Sequence, residues 1–507
     1  MSLVRNVIVQ AGGLGSRLGK FTYNRPKCLV SVNGVNFLQS IKVGFPEAKL
    51  HIIGDYKYGV LEAYLQNTEL ELNYTLTKAS GSGTTSGIGK ALAFVPDDEP
   101  FAITWSDLYF TEPISFPKED ENFIVLTNRN KCRYRYQGGK YVKINTFVNG
   151  IIGLFLFKNK MQIENIPEDG EFVQYLNRSN IKMNPFIDNS INELGTVAKL
   201  KNFMRKNPNS RFFNRLEIED KTVIKKPRDE RFIERITDEV EWYRYMIAHK
   251  YSGIPKIKNF APLTMERVIG IHPFQIKDIR MKEEIVVRII DRLEDIHKLG
   301  KTEANLKSLY DTYTNKTLER IIPVVNILKI NGKDVIKLNG KNLKPLLPCD
   351  REVIERIFGR LSNLTYFTPI HGDPTFSNIL ITEDNEIKFI DPRGYFGNTK
   401  IFGDPRYDYA KLYYSAIGNY DQFNMQNYVL KIDSNDISLK LHSSGYNRTE
   451  IIFKEKLKSG FKDIEILHSL IWLSLSGYLI NDYDGMIASY LYGLKLLNEL
   501  GELYDFL

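Results

Sequence analysis

Over roughly the first two hundred residues, short apolar runs alternate with mixed polar segments. "NVIVQA", "LHIIGD", "FAITWSD", "FIVLTN" and "GIIGLFLF" have the length and β-branched content of strands. Segments between them, such as "KYGVLEAYLQN", have helical texture. This alternation predicts an α/β domain with a mostly parallel sheet. At "MRKNPNSRFFNR" the pattern stops and Asn, Pro, Ser and Arg cluster, a loop signal that puts a domain boundary near Lys206 to Arg211. Residues 208–270 predict a small β-rich lobe with one helix. There "IEDKTVIKK" reads as a strand after a turn, and "RITDEVEWYRYMIAHK" as a helix with Thr237 as N-cap before Glu239. From 271 to 507 the pattern is mostly helical, with i, i+3, i+4 apolar spacing in "EEIVVRIIDRLEDIHKL" and "DGMIASYLYGLKLLNEL". The expected domains are therefore 1–207, 208–270 and 271–507.

A chain of 507 residues with 43% hydrophobic content can support more than one core. The net charge is +8, but 69 basic and 61 acidic residues are interspersed without a basic block. Sites for anionic metabolites fit this better than nucleic acid or a membrane surface. The cysteines, Cys28, Cys132 and Cys349, lie far apart without metal-site spacing. No apolar run reaches the length of a transmembrane helix or a signal-peptide core. A cytoplasmic protein is expected.

Directly after the first apolar run comes "AGGLGSRLGKFTYNRPK". A glycine-rich turn between strand and helix lets backbone N–H groups approach phosphates. Ala11, Gly12, Gly13 and Gly15 are candidates for that contact. Arg17 and Lys27 are candidate catalytic cations for a triphosphate, with Pro26 stiffening the approach to Lys27. The stretch lacks both the Walker pattern and the full dinucleotide fingerprint. Gly12, Gly13, Gly15, Arg17, Leu18, Thr22 and Pro26-Lys27 together resemble the signature of sugar-phosphate and phosphocholine nucleotidyltransferases. The resemblance implies a Rossmann-like α/β sandwich that joins a substrate phosphate to the α-phosphorus of a nucleoside triphosphate, releasing pyrophosphate. It also implies Mg2+ on Asp107 of "FAITWSDLYF", and on Glu193 of "INELGTVAKL", where the family usually has Asp. Gly83 and Thr84 of "GSGTTSG" resemble its base-binding loop. The shortness of the domain favours CTP.

The second constellation is "HGDPTFSNIL" followed by "IKFIDPRG". Asp373 and Asn378 are five apart, and Asp391 follows thirteen later. Phosphoryl transfer to an alcohol needs one carboxylate at the acceptor hydroxyl, and an amide with a second carboxylate for the metal. This string resembles the aminoglycoside phosphotransferase and choline/ethanolamine kinase superfamily. The resemblance implies a two-lobed, protein-kinase-like α+β domain with Asp373 catalytic, Asn378 and Asp391 on Mg2+, and Asp408 buttressing the loop. The role of Arg393 stays open. Either Lys225 or Lys226 is the phosphate lysine, with Glu239 or Glu241 as its partner. Glu266 and Val268 of "LTMERVIG" are candidates for the adenine hinge.

Together the two resemblances imply a bifunctional enzyme: an ATP-dependent kinase for a small hydroxylated metabolite, and a nucleotidyltransferase that couples the phosphate product to CTP. The product would be an activated precursor for a surface polysaccharide or lipid. A sugar kinase joined to a sugar-1-phosphate nucleotidyltransferase is the alternative within the same architecture. A regulatory binding protein with one inactive half is the alternative outside it. Trp472, Tyr478 and Tyr483 could cage a quaternary cation, but in so aromatic a chain they read as core.

Overall fold

The computed structural model describes residues 4–118, 120–163, 165–207, 214–227, 230–433 and 436–504. Most of the boundary expected near 206–211 lies outside these residues. The chain divides into two compact units, Met1–Pro208 with Asn481–Asp484, and Asn209–Ile480 with Gly485–Leu507.

The first unit is built on a nine-stranded sheet. Its centre is parallel: Asn6–Gln10 lies between Lys49–Gly54 and Phe101–Trp105, with Tyr74–Lys78 beyond Lys49–Gly54. The chain thus winds to one side of the first strand and then to the other. In open α/β sheets such a reversal leaves a crevice at the carboxyl ends of the strands, here at Gln10 and Trp105. The expectation of a mostly parallel sheet holds only for this half. Gly150–Phe157 runs antiparallel to both Phe101–Trp105 and Phe123–Thr127. A hairpin of Cys132–Gln137 and Lys140–Thr146 extends the antiparallel edge. Gly150–Phe157 is buried at every position, which is why it reads as a continuous apolar run rather than an alternating one. Its Phe155 and Phe157 join Ile8, Ile53, Phe101, Ile103 and Phe172 in one core under the crevice.

The second unit opens with a four-stranded antiparallel sheet in the order Asn214–Ile218, Thr222–Pro227, Leu263–Glu266, Ile257–Phe260. The helix Ile233–Ala248 follows its second strand and buries Glu239, Trp242, Tyr243 and Met246, one face at i, i+3, i+4, i+7. Thr237 is not its N-cap. The helix begins one turn earlier, and the Thr237 hydroxyl donates back to the Ile233 carbonyl at 3.1 Å. The remainder is mostly helical, including Ile279–His297, Lys316–Ile327, Pro405–Ala416, Phe461–Tyr478 and Tyr483–Tyr504. It also contains a sheet the sequence pattern did not suggest, in which Tyr428–Ile432 pairs with Ile437–Leu441. Trp472 is fully buried, whereas Tyr478 is exposed. Among the described residues no helix is long and apolar enough to cross a membrane.

Candidate functional site

The crevice of the first unit holds a cavity of about 400 Å3. Gly12, Gly13, Arg17, Lys27, Gly83, Thr84, Asp107 and Glu193 all line it. Ala11 and Gly15 do not line it; they shape its wall. Ala11 continues the sheet by donating to the Ile53 carbonyl at 2.9 Å. Gly15 has φ +63°, and a Cβ there would stand 2.9 Å from Thr22 and 3.2 Å from the Lys27 side chain. The glycine therefore lets Thr22 and Lys27 close on the turn, and the Thr22 hydroxyl donates to the Gly15 carbonyl at 3.3 Å.

The opposite wall is pinned by a residue the motif reading passed over. The amide of Gln10, the last residue of the first strand, donates to the carbonyls of Thr84 and Ser86, both at 3.0 Å. Thr84 in turn accepts the Phe172 N–H through its hydroxyl at 2.8 Å. The glycine–threonine loop is thus held on both sides, although Gln10 looked like ordinary strand sequence.

Lys27 Nζ lies 3.1 Å from Asp107 Oδ2. Burial pushes the Asp107 carboxyl up, but Lys27 and Arg17 outweigh it and hold it below its ordinary value. Glu193 reaches the same place from a two-residue strand paired with Leu108–Tyr109. A Cβ on Gly195 would stand 2.3 Å from Asp107 Oδ2 and 2.6 Å from Glu193 Oε1, so the two carboxylates lie within about 5 Å of each other across that glycine. Glu193 also pairs with Lys199 on the first turn of the following helix. Two hard oxygen donors facing an open, cation-rich cavity fit a magnesium ion completed by phosphates and water. Among the described residues no group of three or more His, Cys, Asp or Glu forms a metal site on protein ligands alone. Burial raises the thiol of Cys132, which also lines the cavity, to about 11, so it is a poor nucleophile.

The second constellation assembles in the other unit. On Thr222–Pro227 only one of two adjacent lysines can face inward. Lys225 does: its ammonium bridges Glu239 Oε2 at 2.5 Å and Asp391 Oδ1 at 2.7 Å. Lys226 points the other way, to Glu217 at 2.9 Å. Of the two glutamates, Glu239 is on the buried face of its helix and is the one that pairs. Asp391 follows the strand Ile387–Phe389 with φ +55°, a left-handed backbone that Asp tolerates better than most residues.

The helix Pro405–Ala416 organises the loop that carries Asp373. Its Asp408 is fully buried and accepts the N–H groups of His371 at 2.9 Å and Gly372 at 2.7 Å. One turn on, Lys411 Nζ reaches Asp373 Oδ1 at 3.0 Å. One turn further, the Ser415 hydroxyl accepts the Phe376 N–H at 3.1 Å. Asp408, Lys411 and Ser415 lie on one helix face, a spacing that would have pointed to Lys411 from the sequence. Asn378 Nδ2 donates to Asp373 Oδ2 at 3.0 Å, and the Ile390 N–H donates to the Asn378 carbonyl at 3.0 Å, which ties the two loops together. His371 is buried. Its Nδ1 accepts the Asp373 N–H at 3.2 Å and its Nε2 meets the Ile390 carbonyl at 3.1 Å. A neutral ring protonated on Nε2 satisfies both, and burial holds its pKa below the ordinary value. Glu266 and Val268 stand apart from this group. They line a separate cavity of about 290 Å3 with Thr382, Asp384 and Lys388, and the Glu266 carboxylate accepts the Lys256 N–H at 2.8 Å.

No family model and no curated protein matches the chain. Similar solved structures include the inositol-1-phosphate CTP transferase from T. maritima, at 15% identity over 41% of this chain and 98% of that one, TM-score 0.33. The CTP:phosphocholine cytidylyltransferase from Streptococcus pneumoniae is 16% identical over 40% of this chain and 99% of its own, TM-score 0.32. A nucleoside-diphosphate-sugar pyrophosphorylase from Vibrio cholerae is 14% identical over 39% of this chain and 99% of its own, TM-score 0.32.

Proposed function

We propose that the chain is a bifunctional enzyme: a kinase that phosphorylates a small alcohol with ATP, and a nucleotidyltransferase that couples the resulting phosphate to a nucleoside triphosphate, with CTP favoured. The observation that carries the transferase half is the cavity in which Arg17 and Lys27 face Asp107 and Glu193 beside the glycine turn. In this reading the N–H groups at Gly12 and Gly13, with Arg17 and Lys27, receive the triphosphate, and the loop at Gly83 and Thr84 receives the base. The substrate phosphate attacks the α-phosphorus as pyrophosphate leaves. A phosphate is already ionised, so no general base is needed; positioning and charge neutralisation suffice. Magnesium, held by Asp107 and Glu193, would draw charge off the α-phosphate oxygens.

The kinase half rests on Lys225, whose ammonium joins the small sheet, the helix at Glu239 and the Asp391 loop. Lys225 would hold the α- and β-phosphates of ATP, Asn378 and Asp391 would hold magnesium, and Asp373 would accept the proton of the attacking hydroxyl. Asp408 positions that loop through its backbone.

The test is incubation of the full chain with ATP, CTP, magnesium and a panel of small alcohols and sugars, followed by mass spectrometry. The reading requires ADP, pyrophosphate and a nucleotide diester of one panel member. Pyrophosphate and diester from a ready-made phosphate ester, with no ATP use on any alcohol, would leave the transferase half and remove the kinase half.

A further inference from the structure

The helix Lys316–Ile327 carries Lys316 and Arg320 one turn apart, on one face. Both are half-buried, as is Arg393 on the loop after Asp391. Arg393 packs its stem over Gly372, beside Asp373, and donates its backbone N–H to the His371 carbonyl at 2.8 Å. Lys316 is in electrostatic reach of Arg393, Arg320, Lys411 and Asp373, and Arg393 and Lys411 are each in reach of Asp373, the carboxylate read above as the base.

The cations are poorly matched. Lys411 has Asp373. Among the described residues the Arg320 guanidinium donates only to the Ser474 carbonyl, at 3.1 Å. Arg393 donates to the phenol oxygens of Tyr407, at 3.2 Å, and Tyr395, at 3.3 Å. Among the described residues the Lys316 ammonium makes no ion pair or hydrogen bond, and burial with the neighbouring cations holds it well below the ordinary value. Half-buried cations without carboxylate partners are unfavourable unless an anion completes them. The aromatic faces nearby are already occupied. The Arg393 guanidinium lies 4.5 Å from the Tyr395 ring centroid, and Lys411 Nζ lies 5.1 Å from that of Tyr414. A quaternary ammonium would have to compete with these cations for the rings and would be repelled by them.

We propose, resting on the kinase reading above, that the acceptor is an anionic alcohol whose carboxylate or phosphate is held by Lys316, Arg320 and Arg393. Its hydroxyl then lies at Asp373. The hydroxyl oxygen forms a bond to the γ-phosphorus of ATP, the bond from that phosphorus to the β–γ bridging oxygen breaks, and ADP leaves with the electron pair. The hydroxyl proton passes to Asp373. The acceptor anion neutralises the cations; Asp373 alone cannot.

The test is ADP release by the full chain with ATP and magnesium, using glycerate, glycerol 3-phosphate, glycerol and choline as probes. At least one of the two charged probes should exceed glycerol by tenfold or more in kcat/KM, and choline should fall below glycerol. Which charged probe wins identifies the source of the anion, carboxylate or phosphate. Lys316→Met and Arg320→Gln, two variants that need not share a folding defect, should each reduce the charged-to-neutral ratio at least tenfold, mainly through KM of the charged probe. Comparable kcat/KM for charged and neutral probes, or a preference for choline, overturns the anionic acceptor and leaves the kinase reading standing. ADP release that no probe raises, or that Asp373→Asn leaves unchanged, overturns both.

Discussion

The two constellations proposed to bind phosphate are built on opposite kinds of scaffold. In the first unit the cations sit on a turn after a parallel strand, and Lys27 meets Asp107 in an open cavity. In the second, Lys225 and Glu239 are each only 4% exposed, and the loop carrying Asp373 hangs from a fully buried Asp408. The difference follows the chemistry proposed for each. Attack by a phosphate needs charge neutralisation along a triphosphate and no proton acceptor. Attack by an alcohol needs one carboxylate placed accurately, and accuracy comes from groups locked by buried hydrogen bonds.

That contrast can be broken most directly at Asp373. Asp373→Asn should lower ATP-dependent phosphorylation by about 10²–10⁴-fold, the usual range for a lost general base. Nucleotidyl transfer from a ready-made phosphate ester should stay within twofold. Measuring ADP and pyrophosphate release separately on one preparation checks both. The mirror variant, Lys27→Ala, should cut pyrophosphate release by about 10²–10³-fold, the scale of a lost charge-stabilising donor, and leave ADP release unchanged. A folded variant that loses both activities at either position would sink the two-site account.

The adjacent lysines sharpen the comparison inside one strand. Lys225→Met should lower kinase kcat/KM by at least about 10²-fold, because it removes the proposed phosphate contact and leaves Glu239 buried and unpaired. Lys226→Met should change it less than about twofold, since an exposed ion pair contributes little. Equal losses would mean the strand presents its other face to the nucleotide.

The smallest effect is on stability. His468 is buried in the second unit, accepts the Trp472 indole N–H at 3.0 Å, and is held down to about 3 by burial. Its folded pKa is below the unfolded one near 6.5, so the unfolded state binds more protons between those values. Its contribution is complete above pH 6.5 and falls as the pH drops towards 3, by up to about 3 kcal/mol near pH 4. His468→Gln keeps an acceptor and cannot titrate. Urea denaturation of the second unit should therefore show a shallower loss between pH 6.5 and 4 for the variant; parallel curves would rule the assignment out.

Much of both clusters was legible in the sequence because their residues fall in short-range patterns. Glycines at 12, 13 and 15, the pair Pro26-Lys27, and the five-residue step from Asp373 to Asn378 are all short-range patterns. What escaped was long-range or depended on facing. Gln10 acts through carbonyls more than seventy residues away, and nothing around it marks it. The choice of Lys225 over Lys226 depends on which way a strand turns, and both neighbours are lysine. The antiparallel half of the first sheet was hidden because a strand buried on both faces reads alike in either direction. Thr237 failed as a cap because the helix found its start one turn earlier, at Ile233.

The most direct test of the central claim is a double-label experiment. The full chain is given ATP labelled in its γ-phosphoryl group, CTP labelled in its α-phosphoryl group, magnesium and the best alcohol from the panel. The account predicts one nucleotide diester carrying both labels in equal amounts, one phosphorus from each donor. A diester that carries the CTP label without the ATP label, formed as readily when ATP is left out, would contradict it.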